Sequence, residues 1–212
     1  EFKFKARLVD HGNEDAEKDD IRKDSATAHL ATIRLILSLA VCFNLKLGKI
    51  DFKAAYFQSR AIRRQIFVRP PRELLLFRTL WRLLGLPYGI VEAGRQWQLT
   101  SDDFLQDIGL EPVYALPQCF MLRRNGRLVL FVGKIVDDFL IAGLPEALKW
   151  FSSCMHQRFK VGTETYPPEQ LRFNGGIIEQ AVDSSIKLSM HEFANSIERF
   201  NLDRSRRKQT EA

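Results

Sequence analysis

Three aspartates occupy two short segments whose composition suits metal-dependent chemistry. Asp51 lies within residues 49–56 (KIDFKAAY), and Asp137 and Asp138 lie within residues 134–143 (KIVDDFLIAG). Apolar residues flank each carboxylate, which predicts strands that carry charge inward, and a buried ionised carboxylate is costly unless it is paired. A divalent cation such as Mg²⁺ can be that partner, because it binds one or two carboxylates together with substrate phosphates. The pattern therefore predicts a metal site where these strands meet.

The chemistry that most needs such a site is phosphoryl transfer. Two divalent ions about 3.5–4 Å apart can activate an attacking hydroxyl and stabilise the oxygens of a leaving phosphate. Asp51 and Asp137, carried to one place by adjacent strands, would supply the carboxylates. An isolated Asp-Asp pair is more often a polar turn between two strands, and it is the second motif, around Asp51, that favours the catalytic interpretation.

Composition narrows the class of protein. With 212 residues, of which 45% are hydrophobic, the chain can bury a sizeable core, and we expect one domain with lobes rather than two domains. Lys and Arg number 32 against 26 Asp and Glu, and the net charge of +6 suits a polyanionic partner. Three widely spaced cysteines favour neither disulfides nor zinc and indicate an intracellular setting. No apolar stretch reaches about 18 residues, so we expect a soluble protein with no membrane partner.

Hydrophobic periodicity predicts the elements that must position the aspartates. Asn125 and Gly126 favour a type I′ turn between two hairpin strands, the second of which leads directly to Asp137. The predicted elements are a strand over 2–8, a helix capped by Ser25 or Thr27 that closes near Gly48, strands over 50–52 and 65–69, a helix over 92–108 ended by Gly109, hairpin strands over 119–124 and 127–136, a strand over 139–142, a helix from Pro145 and extended structure over 171–180. Helices interleaved with a largely antiparallel sheet make the predicted class α+β.

Six segments, taken in order, resemble the reverse transcriptase of copia-type long-terminal-repeat retrotransposons. They are residues 4–9 (FKARLV), 24–27 (DSAT), 32–35 (TIRL), 51–56 (DFKAAY), 88–97 (YGIVEAGRQW) and 136–138 (VDD). Each segment alone is a weak signal, whereas their collinear order over nearly the whole chain is specific.

The resemblance implies a right-hand polymerase fold with most of the thumb missing. It implies fingers at 1–27 and 59–95, a palm at 28–58 and 96–180 with an antiparallel sheet backed by helices, and the start of a thumb or connector at 181–212. The implied activity is DNA synthesis from deoxynucleotides on an RNA or DNA template with a primer. Residue 1 is not Met, and we expect a fragment of a polyprotein with integrase and ribonuclease H segments, in a cytoplasmic particle, in the nucleus or in both.

The same resemblance implies roles for individual residues. Asp51 and Asp137, with the Phe52 carbonyl, would bind two Mg²⁺ ions, for which Mn²⁺ can substitute, and Asp138 would support them. Tyr56 would collide with a ribose 2′-hydroxyl and so select deoxynucleotides. The other residues implied at the nucleotide are Lys5 or Arg7 on the triphosphate, Glu92 and Arg95, and those implied at the primer are Ile135, Val136, Gly175 and Gly176.

Two departures from the family pattern favour a second hypothesis. Ile135 replaces the usual Tyr, which removes a polar contact to the primer. Glu92 replaces the usual Gln, and its charge would lie near a triphosphate unless it is turned away or paired, for instance with Arg95. The alternative is therefore a catalytically impaired, nucleic-acid-binding remnant of such an element.

Overall fold

A computed structural model of the chain describes residues 9–62, 64–71 and 79–197. The helices in this part are α1 (Leu30–Cys42), α2 (Ala93–Asp107), α3 (Pro145–Arg158) and α4 (His191–Ser196), with short 3-10 helices at Gly12–Glu14 and Ala55–Gln58. The strands are β1 (Lys46–Phe52), β2 (Phe67–Val68), β3 (Trp81–Arg82), β4 (Glu111–Pro112), β5 (Cys119–Arg124), β6 (Arg127–Ile135), β7 (Asp138–Gly143), β8 (Val161–Thr165), β9 (Leu171–Phe173), β10 (Gly176–Gln180) and β11 (Ile186–Ser189). The predicted strand over 2–8, with Lys5 and Arg7, lies outside the described residues.

The main element of the fold is a six-stranded sheet in the order β4-β5-β6-β7-β1-β8, in which all neighbouring strands are antiparallel. A three-stranded sheet, β11-β10-β9, is joined to β1 by the Gln180 side chain. Its amide accepts from the Leu47 N–H at 2.9 Å and donates to the Leu45 carbonyl at 2.8 Å. The predicted α+β class, with a mostly antiparallel sheet, is confirmed. No helix among the described residues is long and apolar enough to cross a membrane.

Alternating residues of the central strands separate two apolar clusters. Ile50, Phe52 and Phe139 belong to the cluster that includes residues of α2 and α3. Leu47 and Leu140 belong to the cluster that includes residues of α1 and of β9 and β10. Side chains alternate between the two faces along a strand. The residues of β1 and β7 that lie two or four positions from Leu47 or Leu140 therefore point to the α1 side of the sheet. The helices α2 and α3 therefore support the sheet from the opposite side.

Both ends of α1 differ from the prediction. The helix begins after His29, whose ring Nδ1 accepts from the Ala31 N–H at 3.2 Å, and neither Ser25 nor Thr27 caps it. The reason is that the Ala28 N–H bonds to the Lys134 carbonyl at 2.9 Å, which holds the preceding residues against β6. The helix ends at Cys42, well before Gly48, because Asn44 adopts φ +50° and closes a Schellman motif.

The other predicted elements agree with the structure more closely. The helix predicted over 92–108 and ended by Gly109 is α2, and Gly109 has φ +90°. The predicted hairpin is β5 and β6, with Asn125 at φ +51° and Gly126 at φ +75°. The strand predicted over 65–69 shortens to β2, whose partner within the described residues is β3.

A lysine is buried on the side of the sheet that packs against α2 and α3. Lys134 of β6 is 1% exposed, donates to Ser101 Oγ at 2.7 Å and forms an ion pair with Asp102 of α2. Its ammonium lies 5.3 Å and 5.4 Å from the ring centroids of Phe120 and Phe139. Burial lowers the pKa of Lys134 to about 8, although Asp102 acts in the opposite direction. This ion pair joins α2 to the strand that leads to Asp137.

Candidate active site

Asp51 and Asp138 lie directly opposite each other on β1 and β7. In an antiparallel sheet such a pair places its side chains on the same face, with Cα atoms about 4.5–5.5 Å apart. That face is the α1 side of the sheet, because Asp138 precedes Leu140 by two residues and Asp51 follows Leu47 by four. Both aspartates are partly exposed. Asp51 lies near the end of β1 and Asp138 at the start of β7.

Asp137 lies in the two-residue turn between β6 and β7. The preceding residue, Val136, has φ +53°, a left-handed conformation that is strained for a β-branched side chain. Its carbonyl accepts from Trp97 Nε1 at 2.7 Å, and this bond anchors the turn to α2. The Asp137 carbonyl accepts from the Phe52 N–H at 3.3 Å. The backbone of the turn is thereby fixed beside the end of β1, next to Asp51.

A cation lies next to Asp138. The Lys49 ammonium is 2.9 Å from Asp138 Oδ1, and their side chains are 18% and 30% exposed. The contact is an ion pair without the alignment of a hydrogen bond. Lys49 faces the same side as Asp51, two residues further along β1. Its charge partly offsets the repulsion among three carboxylates gathered at one end of the sheet.

The Phe52 side chain is held in the core by three aromatic rings. Its ring centroid lies 5.3 Å from Trp97, 4.8 Å from Phe139 and 5.5 Å from Phe159. These tilted and edge-on contacts hold the ring in the core. The backbone at position 52 is therefore a rigid support for the two neighbouring carboxylates.

The donor set at this site fits a hard divalent ion. Within the described part of the chain, no group of three or more His, Cys, Asp or Glu side chains converges as a metal site. Mg²⁺ does not require such a cage, because it usually keeps several waters and takes one or two carboxylates plus substrate phosphates. Asp51, Asp137 and the Phe52 carbonyl offer only oxygen atoms, the ligands that Mg²⁺ and Mn²⁺ prefer. Asp138, already paired with Lys49, is less suited to be a direct ligand.

Tyr56 lies beside these carboxylates in the 3-10 helix that follows β1. Its ring is 4.7 Å from the ring of Tyr88. Burial, the negative charge of Asp137 and the neighbouring Tyr88 raise the pKa of the Tyr56 hydroxyl, in that order of importance. A Cβ built at Gly94 would lie 3.9 Å from the Tyr56 hydroxyl oxygen, so the start of α2 borders the same pocket.

Glu92 is paired, but its partner is Arg64. The Arg64 guanidinium donates two bonds of 2.9 Å to the Glu92 carboxylate. It also contacts both oxygens of Asp15 and lies 3.3 Å from Glu17 Oε2. Arg64 lowers the pKa of Asp15, and Glu92 and Asp15 raise the pKa of Arg64. The acidic loop of residues 12–20 is thus attached to the start of α2.

The suggested pair of Glu92 with Arg95 is not formed. Arg95 instead lies 3.4 Å from Asp24 Oδ2 and 3.3 Å from the Asp24 carbonyl. The physical reason is that Arg64 lies between the carboxylates of Glu92 and Asp15 and forms a bidentate pair with each of them, whereas Arg95 is directed toward Asp24.

The residues predicted at the primer lie in two places. Ile135 ends β6, pairs with Asp138 and packs against the apolar cluster on the α1 side. Val136 belongs to the strained turn. Gly175, at φ +73°, and Gly176 belong to the hairpin of β9 and β10, in the three-stranded sheet. The structure therefore brings Ile135 and Val136 to the aspartates and leaves the two glycines in a neighbouring sheet.

Lys49, Arg64 and Gly162 were not predicted for the site. Lys49 was quoted only as the first residue of the Asp51 segment, although its position two residues before Asp51 already placed it on the same face. Arg64 lies in a basic stretch with Arg60 and Arg63, and nothing in the sequence identifies which acid it meets. Gly162 belongs to β8, a strand that was not predicted.

The chain is similar to known proteins over nearly its full length. The family described as "Reverse transcriptase (RNA-dependent DNA polymerase)" matches residues 1–211. The Retrovirus-related Pol polyprotein from transposon TNT 1-94 of Nicotiana tabacum is 25% identical over 206 residues, which are 94% of this chain and 15% of that relative. The Retrovirus-related Pol polyprotein from transposon RE1 of Arabidopsis thaliana is 27% identical over 195 residues, which are 90% of this chain and 13% of that relative. The Transposon Ty1-DR4 Gag-Pol polyprotein of Saccharomyces cerevisiae is 30% identical over 134 residues, which are 62% of this chain and 8% of that relative.

Proposed function

Because this chain belongs to the reverse transcriptase (RNA-dependent DNA polymerase) family, we propose that it adds deoxynucleotides to the 3′ end of a primer paired with an RNA or DNA template. The copia-type resemblance predicted from the motifs is confirmed by the family match and by the transposon polyproteins. The observation that carries the proposal is the register that sets Asp51 opposite Asp138, beside the turn that bears Asp137.

In this proposal, Asp51, Asp137 and the Phe52 carbonyl hold two Mg²⁺ ions, for which Mn²⁺ can substitute. Ions bound there would lower the pKa of the primer hydroxyl and neutralise charge on the nucleotide phosphates. The chain itself contributes rigid placement. The bond between the Phe52 N–H and the Asp137 carbonyl couples β1 to the turn. Asp138, held by Lys49, supports the two ligands electrostatically.

The nucleotide pocket is assigned to the region around Tyr56. The Tyr56 ring, supported by Tyr88, would exclude a ribose 2′-hydroxyl and so select deoxynucleotides. Arg95 at the start of α2 is assigned to the nucleotide as well. Either Lys5 or Arg7, which lie outside the described residues, is assigned to the triphosphate. Glu92 borders this pocket, and its bidentate pairing with Arg64, a cation that Asp15 and Glu17 share, offsets part of the repulsion that an unpaired carboxylate would exert on a triphosphate.

The primer terminus is assigned to Ile135, Val136, Gly175 and Gly176. The strained Val136 turn, fixed by Trp97, would present backbone to the primer next to Asp137. In terms of the polymerase hand, we assign fingers to residues 1–27 and 59–95, the palm to 28–58 and 96–180, and the start of a thumb or connector to 181–212. The sheet with α2 and α3 packed on one side supports the palm assignment.

The chain spans at most 15% of the length of the three relatives described above, all of which are Pol or Gag-Pol polyproteins. We therefore propose that it works as one segment of such a polyprotein, with integrase and ribonuclease H segments as its partners. An intracellular location, in a cytoplasmic particle or the nucleus, follows from that proposal.

A catalytically impaired, nucleic-acid-binding remnant is the second candidate function. Ile135 favours it, because this side chain packs against the apolar cluster and offers no polar group to a primer. Glu92 favours it less than an unpaired carboxylate would, because Arg64 offsets part of its charge. The two functions share the basic surface that the net charge of +6 predicts and differ only in nucleotide incorporation.

Primer extension and nucleic-acid binding, measured together on the 212-residue chain, separate these functions. A polymerase extends a labelled DNA primer on an RNA template in Mg²⁺ or Mn²⁺. A remnant binds the same duplex, with an affinity that falls steeply with salt as counterions are released, and incorporates no nucleotide with either ion. Binding without extension would overturn the proposed polymerase, and extension would overturn the remnant.

A further inference from the structure

We propose that Gly162 is a positioning residue for Asp51, because any side chain at position 162 would displace the Asp51 carboxylate. The inference rests on the proposed function only in that Asp51 is the assigned metal ligand. Its structural basis is a bulge where β8 pairs with β1.

The bulge lies beside the carboxylate. Asp51 pairs with Thr163, whereas the next residue of β1, Phe52, pairs with Val161. Two consecutive residues of β1 therefore oppose three residues of β8, and Gly162 is the extra one. Bulges redirect a strand and occur often next to active sites. Here the bulge turns position 162 toward Asp51, although regular alternation would have turned it away.

The space at position 162 is filled by Asp51 itself. A Cβ built on Gly162 would lie 2.5 Å from Asp51 Oδ2 and 3.1 Å from the Asp51 carbonyl oxygen. The first distance is too short for any carbon–oxygen contact without movement. Gly162 does not have the positive φ that favours glycine elsewhere in the chain. The requirement for glycine at this position is therefore steric, and the group that imposes it is the carboxylate.

The neighbouring backbone cannot easily move away. The Lys53 N–H donates to the Lys160 carbonyl at 3.0 Å, just before the bulge. The Gln58 side chain clamps the same place: it accepts from the Lys160 N–H at 2.6 Å and donates to the Lys53 carbonyl at 2.7 Å. Because β8 is tied to β1 on this side, we expect an added methyl group to displace the Asp51 side chain rather than the backbone of either strand. The carboxylate would then be displaced toward Asp138 on the other side.

The variants to compare are Gly162→Ala and a matched control, Gly133→Ala. Gly133 of β6 faces α1, and a Cβ there would lie 2.5 Å from Ile36 Cδ1, a core methyl group. Both substitutions therefore create an equally close contact, but only one of them involves a carboxylate. We expect both variants to melt at lower temperature than the wild type.

Mn²⁺ binding, measured by electron paramagnetic resonance without nucleic acid, is the first readout. Displacing a ligand should weaken Mn²⁺ binding about tenfold in Gly162→Ala, a typical effect of disturbing the support of a metal ligand, and leave it unchanged in Gly133→Ala. Primer extension should likewise require a higher Mg²⁺ concentration in Gly162→Ala than in Gly133→Ala or the wild type. Equal Mn²⁺ affinity in Gly162→Ala and the wild type would overturn the role of Gly162. Mn²⁺ binding by the wild type that Asp51→Asn leaves unchanged would instead overturn the proposed function.

A thermal-denaturation cycle keeps the inference testable if Gly162→Ala is too unstable to bind metal. The melting temperature lost on Gly162→Ala should be smaller in an Asp51→Ala background than in the wild type, because the carboxylate that clashes is then absent. An equal loss in both backgrounds would show that the added methyl group does not meet the Asp51 side chain, and the inference would fail.

Discussion

Asp51 and Lys49 act on Asp138 from the same strand and the same face, one as a like charge and the other as a counter-charge. Asp51 is the register partner of Asp138, and the Lys49 ammonium lies 2.9 Å from its carboxylate. The arrangement lets the chain gather three carboxylates at one end of the sheet without burying an unpaired charge. It also gives the adjacent aspartates 137 and 138 different surroundings, because Asp138 is paired with Lys49 and Asp137 lies in the turn between β6 and β7.

Sugar selection should depend on the Tyr56 ring. Replacing Tyr56 with Val removes the group proposed to collide with a 2′-hydroxyl, and ribonucleotide incorporation relative to deoxynucleotide should rise by about tenfold or more. Single-nucleotide incorporation with dNTP and NTP measures the ratio. Tyr56→Phe, which keeps the ring, is the control and should keep the selectivity. An unchanged ratio in Tyr56→Val would refute the gate.

Arg64 should hold the acidic loop on the molecule. Arg64→Met leaves the buried Glu92 carboxylate and the partly buried Asp15 carboxylate without their cation, which should cost about 2–4 kcal/mol of unfolding free energy. Urea denaturation measures the loss, and hydrogen exchange over residues 12–20 should quicken. Arg64→Lys should restore little, because an ammonium cannot make both bidentate pairs.

The control for this prediction is Arg60, which pairs with Asp103 on the surface. Both partners are more than 40% exposed, so Arg60→Met should cost less than about 1 kcal/mol. If the two variants lost similar stability, the cluster around Arg64 would have no special role.

Removing one partner of the buried Lys134–Asp102 pair should lower the free energy of unfolding strongly, whereas replacing both partners should lower it little. Asp102→Asn leaves the ammonium buried without its counter-charge and should cost about 3–5 kcal/mol. Adding Lys134→Met should recover most of that loss, since an apolar side chain suits the space between two phenylalanine rings. Urea denaturation of the single and double variants forms the cycle. A double variant as unstable as Asp102→Asn alone would contradict this account of the pair.

The same lysine should make stability depend on pH in the alkaline range. The pKa of Lys134 is about 8 when folded and 10.5 in its ordinary state. Between these values the unfolded chain binds a proton that the folded chain has released, so the free energy of unfolding contributed by this group rises with pH, by up to about 1.4 kcal/mol per unit. Below pH 8 the cost of burying the charge is fully present.

Other groups titrate in the same range, among them Cys119, whose pKa burial raises to about 11. The quantity to measure is therefore the difference in unfolding free energy between the wild type and the Lys134→Met/Asp102→Asn variant from pH 7 to 10. This difference should shift in favour of the wild type above pH 8. A difference independent of pH would mean that Lys134 keeps an ordinary pKa in the folded chain.

Much of the fold could be predicted because its signals are local. The Asn125–Gly126 turn and the Gly109 helix end depend on backbone conformations that few residues adopt readily. Strand β8 could not be predicted, because its residues (VGTET) show no apolar alternation. It forms at the sheet edge because β1 offers it a partner. The start of α1 was missed for a similar reason, since it is set by a bond between Ala28 and β6.

The candidate site divides in the same way. The aspartate motifs are local and can be recognised in the sequence alone. The register between β1 and β7 cannot, because β7 (DFLIAG) is a continuous apolar run buried on both faces and has no alternation that would fix the pairing. The pairing of Arg64 with Glu92 is not readable, because nothing in sequence distinguishes Arg64 from Arg60 or Arg95 as the partner of that acid. The space that Gly162 leaves for Asp51 depends on a bulge and becomes visible only in three dimensions.

The most direct test is the rate of primer extension by Asp51→Asn and Asp137→Asn, each compared with the wild type at saturating Mg²⁺ and with duplex affinity and melting temperature as controls. Loss of a metal ligand should lower the rate by about a thousandfold or more while duplex binding is kept. Extension at the wild-type rate by either folded variant would contradict the claim that these two carboxylates hold the catalytic ions.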